Sequence, residues 1–252
     1  MSTRKAQQVF GSRAAYYATS AAHTDKEVLD RVVELARPDR DGVVLDVATG
    51  TGHTAFAIAP YVRHVTGIDV TPEMLEEARR LQAANGIANV EFRTASADDL
   101  PFGDGAFDIV TCRRAAHHIP DMRRALAEMK RVLKPGGRLV IDDRSVPEDD
   151  FIDPTMNRLD LLHDESHVRE YRPSEWRAML RETGFTVDTV ETYTRHRPLS
   201  SLTDNVSPEN TARICEIVDS LSQEQRRAMN IVVKDGETYI NHWFVIALGI
   251  NG

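Results

Sequence analysis

Val44-Leu45-Asp46-Val47-Ala48-Thr49-Gly50-Thr51-Gly52-His53 is the stretch on which the fold turns. It begins as a short apolar run, meets an acid at Asp46, and bends through two glycines into Thr54-Ala55-Phe56-Ala57-Ile58-Ala59, whose apolar spacing is helical. A strand that ends in a glycine-rich turn and feeds a helix is the opening unit of a βαβ fold. Gly50 and Gly52 permit positive φ and let a ligand approach the backbone closely. The helix that follows offers free N–H groups to an anion or a carboxylate.

The same rhythm continues downstream. Residues 65–70 read as a second buried strand and residues 72–84 as an amphipathic helix, with Pro72 in its first turn and Gly86 just past its end. Residues 89–96 form a third strand and 107–112 a fourth. Residues 122–133 form a helix stopped by Lys134-Pro135-Gly136-Gly137, and 138–143 a fifth strand. Upstream, Val28, Leu29, Val32, Val33 and Leu35 mark a helix over 25–36 with Thr24 or Asp25 as its N-cap. Strands alternating with helices imply right-handed crossovers and a parallel sheet covered on both faces. After residue 146 the pattern changes: 150–172 is polar and rich in His and Arg. A helix over 174–183 is capped by Ser174 and closed by Gly184, 186–194 is a strand, and 207–229 is helical. Residues 231–250 are a hairpin turning at Asp235-Gly236. There is no internal repeat.

Composition narrows the function classes. The 252 residues are 41% hydrophobic and 28% charged, ordinary for one globular core with at most a small accessory lobe. A net charge of -8, without a dense Lys/Arg cluster, argues against a nucleic-acid or anionic-membrane partner. No apolar run reaches the ~20 residues of a membrane span. The N-terminal MSTRKAQQVFGSRAAYY lacks the apolar core of a secretory signal. With only Cys112 and Cys215, a disulfide framework is not expected, and a reducing cytoplasm is the simple reading.

Asp69 closes the second strand 17 residues after Gly52, where a carboxylate can accept hydrogen bonds from both ribose hydroxyls of a nucleoside. A dinucleotide or S-adenosylmethionine would use these parts, and the loop also reads G-x-G-x-x-A. Three features favour S-adenosylmethionine. Asp46, at the carboxyl end of the first strand, suits a cationic ligand and would repel a pyrophosphate. The third strand leads into Ser96-Ala97-Asp98-Asp99-Leu100-Pro101-Phe102, placed to bind an adenine amino group. The chain ends in a hairpin signal rather than further βα units. Two classes compete: a nicotinamide-dependent oxidoreductase, which no Tyr-x-x-x-Lys pair supports, and an S-adenosylmethionine-binding regulator or scaffold without turnover, against which the polar residues at 113–118 speak.

LDVATGTG, TGIDVTPEML, SADDLPFGDGAFDIVTC, AAHHIPD and RVLKPGGRLVI, taken in order from about Val43 to Asp142, resemble the class I S-adenosylmethionine-dependent methyltransferases. Within them the chain is similar to the ubiquinone/menaquinone-biosynthesis C-methyltransferases. The resemblance implies a Rossmann-like, doubly wound seven-stranded α/β sheet in the order 3-2-1-4-5-7-6, strand 7 antiparallel. It implies a single domain over 1–252, with an N-terminal lid segment at 1–25 and a cofactor-binding core at 43–142. Substrate-side insertions follow at 147–172 and 203–229. By position, Asp46, Ala48, Gly50 and Gly52 line the methionine and ribose portion of S-adenosylmethionine, and Asp69 takes the ribose hydroxyls. Val70 and Met74 flank the adenine, Ser96, Ala97 or Asp98 bind its edge, and Arg113 lies near the methionine end. Tyr17 matches a tyrosine that closes over the cofactor, or serves as an aromatic anchor. The implied acceptor is a small molecule; quinone-type ring C-methylation and methylation of another metabolite both remain open, as does a homodimer.

His117 and His118, after the fourth strand, are the candidate proton acceptors, with loop bracing as the competing role. Asn157, Arg158, His163, His167, Arg169 and Tyr171 form a second polar group, read as a substrate lid or a solvated helix face. His163 and His167 are four apart and would share a helical face, but no third ligand is evident and no metal is expected.

Overall fold

The computed structural model describes residues 7, 10–11, 13–20 and 23–252. The N-terminal lid expected over 1–25, and the leader reading, lie partly outside these residues. The helix α1 (Ala14–Thr19) belongs to the described part, and α2 (Lys26–Ala36) follows with Asp25 accepting a hydrogen bond from the Val28 N–H as its N-cap.

Among the described residues eight strands form one sheet: β1 (Val43–Val47), β2 (His64–Asp69), β3 (Val90–Thr94), β4 (Phe107–Arg113), β5 (Leu133–Ser145), β6 (Phe185–Pro198), β7 (Val232–Lys234) and β8 (Glu237–Asn251). Their order is β3-β2-β1-β4-β5-β8-β6, with β7 attached to β8. β1 to β5 are parallel and β8 runs antiparallel to both β5 and β6. This is the expected topology, with β8 as the seventh strand and β7 an added hairpin arm. Asp235 (φ 52) and Gly236 (φ 81) form the turn between β7 and β8, both in the left-handed region that a tight two-residue hairpin requires.

Between the strands lie α3 (His53–Ile58), α4 (Pro72–Ala84), α5 (Met122–Val132), α6 (Ile152–His163) and α7 (Pro173–Glu182). After β6 come α8 (Ser200–Thr203), α9 (Pro208–Ser220) and α10 (Gln223–Ala228). One face of the sheet buries Leu45, Val110, Leu126, Met129, Ile141 and Trp176; the other buries Val32, Val44, Ile58, Val65, Leu75 and Leu248. A third apolar cluster joins α6, α8, α9 and the β7–β8 arm through Met156, Leu159, Leu202, Ile214 and Ile240. Two expectations shift. Ser174 does not cap α7: Arg172 holds the N-cap, its N–H donating to Glu175, while the Ser174 N–H and hydroxyl donate to Glu148. The expected single helix over 207–229 is two, because Leu221 leaves helical geometry and Ser222 caps a new start with Gln225.

Register determines where a site can form. Val47 pairs with Ile68 on one side and Cys112 on the other, so β1, β2 and β4 end level. The loops leaving them meet at the carboxyl edge of the sheet, where doubly wound sheets bind ligands. Among the described residues no helix is long and apolar enough to cross a membrane.

Candidate active site

The loop after β1 is shaped from below. The Asp46 carboxylate accepts hydrogen bonds from the Thr49 hydroxyl (2.5 Å) and, across to β4, from the Thr111 hydroxyl (2.7 Å). Burial raises its pKa above the usual carboxylate range, the two hydroxyls only partly opposing this. Asp46 therefore sits under the loop and does not line the cavity above it. Gly52 is not among the lining residues either. It is the left-handed N-cap of α3 (φ 89), and a Cβ there would lie 2.8 Å from Phe56 and 3.0 Å from Phe92. Ala48 also takes positive φ (51°), a conformation that costs an L-residue about 1–2 kcal/mol.

Above the loop lies a cavity of about 560 Å3. The sequence-derived residues it brings together are Tyr17, Ala48, Gly50, Asp69, Val70, Met74, Ser96, Ala97, Asp98, Arg113 and His118. Asp69 is clamped by two backbone donors, Gly50 N–H and Thr71 N–H, each at 2.9 Å. Burial nevertheless pushes its carboxyl pKa up, outweighing both donors. The Ser96 hydroxyl donates to Asp98, closing the loop after β3. At the other end, Arg113 donates from Nε to the Thr54 hydroxyl (2.9 Å) and from Nη2 to the His23 carbonyl (2.6 Å). Its Nη1 is buried without a hydrogen-bond partner among the described residues, 3.9 Å from Asp142. His23 Nδ1 and His53 Nε2, both from cavity-lining residues, are likewise buried and unpartnered. Burial and then the Arg113 charge push both imidazoles below the ordinary histidine pKa, so they are neutral near pH 7.

These features fit S-adenosylmethionine. A nucleoside's diol needs an acceptor pair such as the Asp69 carboxylate, and an α-carboxylate needs the unused donor of a buried guanidinium. A Cβ at Gly50 would meet nothing within 4 Å, so the loop leaves room for a ligand against its backbone.

The two histidines after β4 separate. The 3-10 turn at Ala116–His118 turns His117 inward, where its Nδ1 lies 2.5 Å from Asp143 and its N–H donates to the same carboxylate. The His117 carbonyl accepts from Val168 N–H, so it braces the loop. His118 faces the cavity, beside Phe10 (ring centroids 4.8 Å, edge-on) and Ser166.

Asn157, His163, His167, Arg169 and Tyr171 do not line the cavity. Asn157 accepts from Glu170 N–H (2.7 Å) and pairs with His167, while His163 Nδ1 meets the Leu202 carbonyl. Arg169 bridges Asp153 and Glu175, and Tyr171 packs edge-on against Trp176. His163 ends α6 and His167 lies in the loop beyond it, so the two do not share a helical face. Arg158 is on α6. The cavity instead takes residues outside the expected set, including Phe10, His53, Arg114, Ile119, Pro120 and Ser166. For Ser166 the local signal is Asp164-Glu165-Ser166, an Asx-type turn in which Asp164 accepts from Ser166 N–H (2.8 Å). Its contact with His118, 48 residues away, has no local signal.

A family model described as a methyltransferase domain matches residues 38–191. YcgJ of Bacillus subtilis (strain 168), described as an uncharacterized methyltransferase, is 43% identical over 170 residues, 68% of this chain and 67% of that protein. The crystal structure of YcgJ superposes with a TM-score of 0.84, covering 89% of this chain and 98% of that one. The demethylmenaquinone methyltransferase of Thermus thermophilus is 46% identical over 114 residues, 44% of this chain and 51% of that protein. Geranyl diphosphate methyltransferase in complex with SAM shares the fold at a TM-score of 0.65 and 14% identity, covering 95% of this chain and 90% of that one. The chain belongs to the methyltransferase-domain family, enzymes of Rossmann-like fold that use S-adenosylmethionine as their methyl donor.

Proposed function

We propose that the protein methylates a small ring-bearing acceptor, with a quinol-type ring as the leading class. The observation that carries this reading is the wall of the cavity around His118. Phe10, Tyr17, Ala115, Ile119 and Pro120 offer apolar and aromatic surface, with His118 and Ser166 as polar groups at one edge and His23, Arg113 and Arg114 toward the other. Such a wall suits a planar, largely apolar acceptor with one reactive polar edge. The likeness to the Thermus demethylmenaquinone methyltransferase supports the quinol class, over the part of that protein which matches.

Bound S-adenosylmethionine supplies a methyl group already activated on a cationic sulfur. The chain's own task is positioning, which can contribute about 7–11 kcal/mol in a well-oriented pair. Asp69 holds the ribose. Val70, Met74, Ser96, Ala97 and Asp98 hold the adenine, and Ala48, Gly50 and Arg113 the methionine portion. Asp46 and Gly52 act indirectly by fixing the loop. Tyr17, whose phenol burial pushes up to about 12, stays protonated and shields the cavity from water. His118 meets the reactive edge of the acceptor.

The test is S-adenosylhomocysteine formation with a naphthohydroquinone, a catechol and a primary amine as acceptors. Turnover with either ring acceptor and none with the amine is expected. Methylation of the amine alone would overturn the proposal.

A further inference from the structure

Next to His118 is a short chain of hydrogen bonds outside the cofactor half of the cavity. The Ser166 hydroxyl lies 2.6 Å from Asp164 Oδ1 and 3.0 Å from His118 Nδ1. Asp164 Oδ1 also accepts from Ser166 N–H. Burial pushes the Asp164 carboxyl up, but His118 and the Ser166 donors outweigh it and hold it below the usual carboxylate range. An ionised carboxylate has no proton to give, so two oxygens 2.6 Å apart require the hydroxyl proton of Ser166 between them. The Ser166 oxygen then faces His118 with a lone pair, and His118 Nδ1 must be the donor. A neutral imidazole with its proton on Nδ1 carries its lone pair on Nε2.

We propose that Asp164 and Ser166 are positioning residues that fix this tautomer of His118, making His118 Nε2 the proton acceptor for the methyl acceptor. The inference rests on the ring-acceptor reading for its chemistry but not for its geometry. It assigns to Asp164–Ser166 the orienting role that a third group plays behind a catalytic base.

The step balances. An electron pair of the acceptor forms the new bond to the methyl carbon, and the S–C bonding pair stays on sulfur. The acceptor's O–H or ring C–H proton goes to His118 Nε2. One positive charge leaves sulfur and one appears on the imidazole, so the net charge of the site is unchanged. The charged and titratable groups around His118 are His117 and Asp143 from β5 and the turn, and Asp164 and His167 from the loop after α6. Burial, then His117, lowers its pKa to about 3, so the ring enters the reaction neutral. Asp164 gives the imidazolium a counter-charge through Ser166.

The experiment is long-range 1H–15N NMR of the imidazole rings in the 15N-labelled full chain, with His118→Gln used to assign the signal. The Nδ1–H tautomer is expected in the wild type, lost or mixed in Ser166→Ala, and restored in Ser166→Thr. An Nε2–H tautomer in the wild type, or an unchanged one in Ser166→Ala, overturns the relay. On any ring acceptor that turns over, Ser166→Ala should lower kcat about tenfold with KM for S-adenosylmethionine unchanged, and Ser166→Thr should recover it. An unchanged kcat there overturns the catalytic consequence. Absence of turnover with every ring acceptor removes the ring-acceptor reading while the NMR result still decides the relay.

Discussion

Asp69→Asn separates binding from folding at one atom. The carboxylate is buried, and its pKa is raised by that burial despite the Gly50 and Thr71 N–H donors. A raised acid contributes its stability below the unfolded value of about 3.9 and loses it as pH rises through the folded value, so at neutral pH the ionised group costs stability. The amide removes that cost. It also turns an NH2 toward one of the two backbone donors, a loss of about 1–3 kcal/mol. The terms oppose, and the ligand-free melting temperature should move little. Binding has no such compensation: charge-assisted bonds to the ribose diol are replaced by weaker ones, about 2–3 kcal/mol or roughly 30–150-fold in Kd. The assay is thermal unfolding with S-adenosylmethionine at 100 times the wild-type Kd. The ligand then stabilises wild type by about 2.7 kcal/mol, which for a chain of this size is roughly 5–11 °C. At a hundredfold weaker Kd the same concentration yields about 0.4 kcal/mol, or roughly 1–2 °C. An Asp69→Asn protein that keeps the full ligand-induced shift would falsify the assignment of Asp69 to the ribose.

Arg113→Lys replaces a fork whose Nη1 is unused with a single ammonium, and should weaken S-adenosylmethionine and S-adenosylhomocysteine about tenfold by calorimetry. 5′-Methylthioadenosine, which has no carboxylate, should bind both proteins alike; equal weakening would show that Arg113 does not serve the carboxylate. Gly52→Ala forces a Cβ to 2.8 Å from Phe56 at a φ of 89°, so the melting temperature and cofactor affinity should fall together; a protein with wild-type values of both refutes the tight-loop argument. Arg144→Met leaves the buried Asp160 carboxylate without its cation, a loss of about 3–5 kcal/mol, or roughly 6–20 °C. Burial pushes the Asp160 carboxyl up, but Arg144, with His167, His242 and a hydrogen bond from Glu170, together outweigh it and hold the pKa at about 2. That contribution is present above the unfolded pKa of about 3.9 and lost as pH falls through about 2, so the variant should lack this part of the wild type's acid sensitivity in an acid-unfolding titration.

The cavity wall built by the loops after β1, β2 and β3 was legible because its determinants are local. Asp46 lies in β1, Gly50 and Gly52 lie in the turn after it, and Asp69 ends the next strand, so strand register alone brings Gly50 and Asp69 to one wall with Asp46 beneath it. Ser96, Ala97 and Asp98 follow β3 for the same reason. What strand periodicity does not carry is side-chain direction in irregular segments. His117 and His118 are adjacent, and only the 3-10 turn decides that one meets Asp143 and the other Ser166. The cap of α7 was misplaced because Ser174 is the better capping residue by type, yet Glu148, 26 residues upstream, engages it instead.

The polar stretch 150–172 shows why composition points the wrong way there. His and Arg in such density read as a surface meeting solvent or substrate. Here Arg144, entering from β5, supplies the charge that lets Asp160 go inside, burial and the Asp160 charge push the Glu170 carboxyl beside it well up, and the Asn157 side chain ties His167 to the Glu170 backbone. Burying each of these alone would be prohibitive; together they leave few donors or acceptors unpaired. The consequence reaches the cavity. The loop carrying Asp164 and Ser166 leaves the end of α6 and is tied back through Val168 N–H to the His117 carbonyl, so Ser166 is held from both sides. The residues of this stretch that looked like substrate contacts thus anchor the wall on which one unexpected residue, Ser166, meets His118.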